Sequence, residues 1–158
     1  MGSETITIRL MEPADAEAVS ALIGMAFAAQ PVVLDPAPSA LGVTAADVAA
    51  HLQTGGGAVA GLTGLVGSVL WQTTAEVLQV SRLAAHPDYR RMGIARRLLA
   101  AAEQTARGSG VKRMSLGTRL ALGGNRALFA GCGFREVAQH AHPGYPVPTW
   151  VEMEKRLL

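Results

Sequence analysis

The segment that most constrains this chain begins at Leu83. An apolar strand end, Leu83-Ala84-Ala85, enters the turn His86-Pro87-Asp88-Tyr89-Arg90, and a helix follows with Ile94, Leu98, Leu99 and Ala102 at helical spacing. A strand is delivered here straight into an amphipathic helix, and with the elements that follow the order is mixed α/β. The spacing predicts the helix over Arg91–Arg107, ended by Gly108 to Gly110. A helix start offers unpaired backbone N–H groups and the positive end of the helix dipole. Gly93 lacks a Cβ and Ala95 is nearly as small, so an anion can approach the backbone closely. Arg90, Arg91 and Arg96 add positive charge. On physical grounds alone this is an anion site of pyrophosphate size.

The remaining elements follow from periodicity and punctuation. Thr5–Leu10 alternates as a strand. Pro13 and Asp15 open a helix with Val19, Leu22, Ile23 and Ala26 on one face, ending before Pro31. Pro31–Gly42, with three prolines, is an irregular loop. Thr44 is a plausible N-cap for a helix to Gln53, with Asp47 completing a capping box. Strands are expected over Ala58–Leu62, Leu65–Trp71, Val77–Ala85 (central), Lys112–Thr118, Phe134–Ala141 and Thr149–Leu157, and a short helix over Arg126–Gly131. The order does not alternate strictly, so a mixed sheet is expected rather than an all-parallel one.

Composition narrows the function. The 158 residues suit a single domain spanning 1–158, and a formal charge of +2 leaves no nucleic-acid footprint. Cys132 is the only cysteine, so neither an internal disulfide nor a cysteine zinc site is available. Flanked by Gly131 and Gly133, Cys132 reads as a packing residue rather than a nucleophile. A reducing, cytoplasmic setting fits, and the N-terminus shows no basic region followed by an apolar run. Leu52–Ala75 carries no charge and includes Gly57 and Gly61 at GxxxG spacing. Its many glycines and its polar Thr and Gln point to a buried hairpin, not a membrane span.

The run Ala85-His-Pro-Asp-Tyr-Arg-Arg-Met-Gly-Ile-Ala-Arg-Arg-Leu-Leu resembles the central motif of the GNAT superfamily of N-acetyltransferases, Q/R-x-x-G-x-G/A after a strand. Arg90, Gly93 and Ala95 fill its defining positions. The resemblance extends over almost the whole chain, through Gly133-Phe134 and the last strand around Trp150-Val151-Glu152-Met153. It implies a mostly antiparallel, splayed sheet of about six to seven strands flanked by about four helices. It implies acetyl-CoA as cofactor, no metal, and a cleft between the Val77–Ala85 and Lys112–Thr118 strands. Leu83, Ala84 and Ala85 would pair with the pantetheine arm. Arg90, Arg91, Met92, Gly93, Ile94, Ala95 and Arg96 would surround the pyrophosphate, and Asn125 and Phe129 would flank the cofactor. A homodimer through the last strands and Trp150 is a further expectation from the family.

The chain departs from the family at its proton carriers. Phe129 stands where a Tyr often protonates the departing thiolate. Leu122 stands where an Asn usually lies, and Asn125 is either that Asn shifted by one turn or an N-cap after Gly123-Gly124, the reading the Gly pair favours. The general-base positions lack carboxylates. The first strand of the cleft offers Gln79, Ser81 and Arg82, and the next has Gly117 where some members hold Glu. A thiol of pKa about 8.5 leaves as thiolate near pH 7 at roughly 2 kcal/mol, so the missing Tyr is survivable. Deprotonating a lysine-like amine at pH 7 costs roughly 4.6 kcal/mol, an α-amino group near 7.8 only about 1 kcal/mol. The expected acceptor is therefore a low-pKa amine, such as the α-amino group of an amino acid or peptide, with Arg82 facing its carboxylate or else held in a surface or phosphate ion pair.

Tyr145 and His142, between the last strands, are weaker candidates for moving a proton. His86 is expected to be exposed, and His51 and His140 have no evident partner in sequence. Trp71 and Trp150 suit core, dimer contact or pocket wall. The readings are an N-acetyltransferase for a small-molecule or peptide amine, a protein N-terminal or lysine acetyltransferase, and a non-catalytic acyl-CoA-binding module.

Overall fold

The computed structural model describes residues 5–157. Seven strands form one sheet: β1 (Thr7–Leu10), β2 (Gly56–Gly61), β3 (Leu65–Thr73), β4 (Val77–Ala85), β5 (Arg113–Arg119), β6 (Arg135–His140) and β7 (Trp150–Arg156). Four α-helices accompany them: α1 (Ala16–Ala28), α2 (Ala45–Thr54), α3 (Ile94–Ser109) and α4 (Gly123–Gly131). The strand order is β1-β2-β3-β4-β5-β7-β6, so β4 is central. Among the described residues only the β4–β5 pair is parallel; its neighbours run antiparallel. The mixed sheet expected from the element order, mostly antiparallel as the resemblance implies, is what forms.

Two apolar layers hold the sheet. On one face α1 and α2 cover a cluster including Val19, Ile23, Val48, Val59 and Leu70. On the other, α3 buries Ile94, Leu98, Leu99, Ala102 and Ala106, and the cluster continues through Phe129 and Phe134. Trp71 belongs to this second core. Thr44 caps α2 as expected: its Oγ1 accepts from Asp47 N–H at 3.1 Å, and the Asp47 carboxylate accepts from Thr44 N–H at 2.9 Å. The uncharged 52–75 stretch, apart from the end of α2, is the β2–β3 hairpin. No helix among the described residues is long and apolar enough to cross a membrane.

Two boundaries differ from expectation in ways that matter. α3 starts at Ile94, not Arg91, because Arg91 (φ 69°) and Gly93 (φ 74°) both adopt left-handed backbone and form a turn before the helix. α4 starts at Gly123, not Arg126, with Leu122 at its N-cap, so Asn125 lies inside the helix and is not the cap.

Two irregularities in β4 shape a cleft. β4 pairs with β5 only through Val77↔Arg113, Leu78↔Met114 and Gln79↔Ser115, although β4 runs on to Ala85 and β5 to Arg119. Past Gln79 the two strands part. On its other side β4 carries a bulge: Ser81–Ala84 spans three steps against the two of Ser68–Leu70, with Arg82 in the bulge at φ 53°. A bulge bends its strand and re-aims its side chains, here beside the split.

Candidate active site

Two cavities meet at the split. One, of about 770 Å³, is bounded by Leu83, Ala84 and Ala85 on β4 and by Arg90, Arg91, Gly93, Ile94, Ala95 and Arg96 at the start of α3. The other, of about 660 Å³, is bounded by Gln79, Ser81 and Arg82 on β4, Gly117 and Arg119 on β5, and Trp150 on β7. Phe27, Leu83, Leu122, Asn125 and Phe129 line both. Asn125 and Phe129 are four residues apart on α4, so they share one face of that helix at the junction.

The α3 end of the first cavity suits an anion. The first bond within α3 runs from Arg97 N–H to Gly93 O (3.1 Å), so the Ile94, Ala95 and Arg96 N–H groups precede any intrahelical partner. Among the described residues no side chain caps this helix start. A Cβ added at Gly93 would meet nothing within 4 Å, so the approach is open. The basic side chains divide their work. Arg90 donates to Ala26 O at 3.2 Å and braces the end of α1, whereas Arg91 is exposed at the rim. Arg96 lies against Gly131 and reaches Cys132 Sγ at 3.7 Å. Met92 is 51% exposed and lies outside the cavity lining.

The second cavity gathers most of the other candidates. Arg82 donates to Ser39 Oγ at 3.0 Å, and Arg119 donates to Pro36 O at 2.7 Å. His142 lines this cavity, with Nδ1 against Thr149 Oγ1. Burial and the nearby Arg119 push the His142 pKa down, which favours neutral imidazole. Tyr145 lines neither cavity. Its hydroxyl donates to Asp35 Oδ1 at 2.5 Å, and that hydrogen bond holds its pKa above the usual value. It pins the 31–42 loop instead of facing the cleft.

The remaining histidines have partners the sequence does not reveal. His51 donates from Nε2 to Trp71 O (2.8 Å). His140 meets Glu152 Oε1 (2.9 Å) and stacks on Trp150. His86 is half-buried, contrary to expectation, because its Nδ1 accepts from Asp88 N–H and its ring packs edge-on against Tyr89. Trp150 is a wall of the second cavity. Sequence reasoning does not single out Arg119. The available signal is an arginine two residues past Gly117, at the end of the strand expected to border the cleft.

Residues 37–134 match the model of the acetyltransferase (GNAT) family, and no curated protein matches the sequence. Several solved structures share the fold. The PaiA N-acetyltransferase of Thermoplasma acidophilum, in complex with coenzyme A, is 17% identical over 97% of this chain and 99% of its own, with a TM-score of 0.78. The ribosomal-protein-S18-alanine N-acetyltransferase of Escherichia coli is 20% identical over 96% and 94%, with a TM-score of 0.77. YncA of Salmonella typhimurium, solved with its cofactor acetyl-CoA, is 20% identical over 96% and 94%, with a TM-score of 0.72. The family match covers well over half of the chain, including the β4–α3 turn and both sides of the split, and on that ground this protein belongs to the GNAT acetyltransferase family.

Proposed function

We propose that the protein is an acetyl-CoA-dependent N-acetyltransferase that joins an acetyl group to a primary amine by direct attack while both substrates are bound. The observation that carries this is the meeting of two cavities at the β4–β5 split, one ending in an uncapped helix start and the other lined by polar side chains. The residues fit the cofactor. Its pyrophosphate suits the Ile94, Ala95 and Arg96 N–H groups behind the open Gly93 turn, with Arg91 adding charge at the rim. The edge of β4 that faces β5, unpaired to it beyond Gln79, offers backbone groups to the pantetheine arm, as an added strand would use them. Bound acetyl-CoA supplies the thioester. Leu83, Leu122 and Phe129 keep water from the junction, and Asn125 is the polar group there.

Neither Phe129 nor Gly117 can carry a proton, which favours an amine that is already partly neutral. An α-amino group near pKa 7.8 needs only about 1 kcal/mol to deprotonate at pH 7. The same two residues favour one other reading, a non-catalytic acyl-CoA-binding module. Turnover of acetyl-CoA with any amine excludes it.

The deciding experiment is calorimetric titration with acetyl-CoA, CoA and dephosphorylated pantetheine, alongside Arg91→Glu. Micromolar binding of both CoA species, weak binding of pantetheine and loss in the variant are expected. No binding of any of them would overturn the acetyltransferase reading.

A further inference from the structure

We propose that the acceptor is an amine that also carries a carboxylate, of amino-acid type, and that the guanidinium groups of Arg82 and Arg119 receive that carboxylate. This rests on the reading of the second cavity as the amine site.

The charges lining that cavity are Arg82, Arg119 and Asp47, with His51 and His142 as the titratable rings. Three of these are committed. The Asp47 carboxylate accepts from Thr44 N–H within the α2 cap, which holds its pKa below the usual value. His51 is bonded to the backbone of Trp71, and His142 is engaged by Thr149. The two arginines remain. Each uses one nitrogen in a bond to the 31–42 loop, Arg82 to Ser39 and Arg119 to Pro36. A guanidinium has five N–H donors, and its planar fork matches a carboxylate. Among the described residues neither arginine forms an ion pair within 4.0 Å, although Asp47 lies within electrostatic reach of Arg82 and Asp35 of Arg119. Asp35 is itself occupied by the Tyr145 hydroxyl.

Both cations are also held in place before any ligand arrives. Arg82 occupies the β4 bulge in left-handed backbone, a conformation unfavourable for a non-glycine residue and one that concentrates at functional sites. Arg119 ends β5, paired with Trp150 across to β7, and is partly desolvated. A desolvated, pre-positioned cation gains more from an anionic ligand than a solvated one does. One arginine stands on each strand of the split, so a carboxylate held between them leaves the neighbouring amine beside the junction with the first cavity.

The test compares a panel of α-amino acids with their matched carboxamides. Binding is read by calorimetry on the protein alone and on the CoA-saturated protein, and thiol release from acetyl-CoA is read in parallel. The best acids should exceed their carboxamides by about 10- to 100-fold in affinity or kcat/KM, the size of a charge-assisted hydrogen-bonded contact. Arg119→Gln and Arg82→Gln should each collapse that ratio toward one, and Arg119→Lys should restore part of it. If one glutamine variant fails to fold, the other variant and the wild-type ratio still decide. Carboxamides or alkylamines that equal the acids, or a complete absence of acid binding, overturn the proposal. Failure of CoA to bind would instead bring down the acetyltransferase reading, because the acid-to-amide comparison on the protein alone stays readable.

Discussion

The ring of Trp150 lies over Gly117: a Cβ added to Gly117 would sit 3.1 Å from Cε3 and Cζ3 of that ring. The ring also stacks on His140 at 4.4 Å, and His140 is in turn bonded to Glu152. The cavity wall therefore occupies the space that a side chain at position 117 would need. A carboxylate cannot be added there without moving the tryptophan. Gly117→Ala should destabilise by about 1 kcal/mol through overpacking and change the near-ultraviolet dichroism of the tryptophans. Gly117→Glu should lose more stability and lower acetyl transfer at pH 7. A Gly117→Glu protein that transfers faster than wild type would show that the ring yields and that a base had been missing.

Phe129 is buried, packs edge-on against Phe134 and borders both cavities. Phe129→Tyr adds one oxygen at the junction and nothing else. A general acid contributes about 10²- to 10⁴-fold where proton transfer limits the rate, whereas a thiolate leaving group needs only roughly 2 kcal/mol of help at neutral pH. The expected gain in kcat is therefore at most about 30-fold, that energy converted to rate. It should shrink as pH rises toward the thiol pKa. Steady-state rates across pH check this, and a pH-independent gain would point to packing instead of proton donation.

What the sequence shows and what it conceals divide along physical lines. The β4–α3 passage is legible because an apolar strand, a glycine turn and a 3.6-residue apolar period are all local signals. The cap at Thr44 is legible for the same reason. The left-handed Arg91 is not, because arginine gives no hint of φ above zero, so the helix reads three residues too long at its start. Asn125 looks like a cap after two glycines, yet Gly123 and Gly124 are themselves helical. The Arg82 bulge, the exchange of β6 and β7 in strand order, and the presence of Arg119 and Arg82 in one cavity lining depend on contacts between distant segments. Tyr145 misleads because its partner, Asp35, lies 110 residues away.

Arg91 allows backbone and side chain to be separated. Its left-handed φ is unfavourable for a residue with a Cβ; glycine relieves that penalty of roughly 1 to 2 kcal/mol, offset by about 0.5 to 1 kcal/mol for the entropy glycine adds to the unfolded chain. Arg91→Gly should therefore be neutral or slightly more stable in thermal melts while binding CoA more weakly. Gly93→Ala, which imposes a Cβ at φ 74° with open space around it, should lose about 1 kcal/mol from strain alone. Arg91→Gly that both melts lower and binds CoA as well as wild type would contradict this division.

Lys155 joins three elements. Its Nζ lies 2.6 Å from Glu103 Oε1 on α3 and donates to Cys132 O, just past α4, at 2.9 Å, from its own place on β7. Glu103 also accepts from Arg107 Nε at 3.1 Å. The hydrogen bond from Lys155, then that from Arg107, holds the Glu103 pKa below 4.5. A depressed carboxyl pKa means that the folded chain binds fewer protons than the unfolded one. Its contribution is complete above about 4.5 and disappears as pH falls through the folded value. Glu103→Gln should lower stability by about 1 kcal/mol near pH 7, and the gap to wild type should close as the pH approaches the folded pKa. Urea melts across the acid range read this directly. A gap that stays constant down to the acid limit would assign the effect of the glutamine to packing against Lys155 rather than to the charge of Glu103.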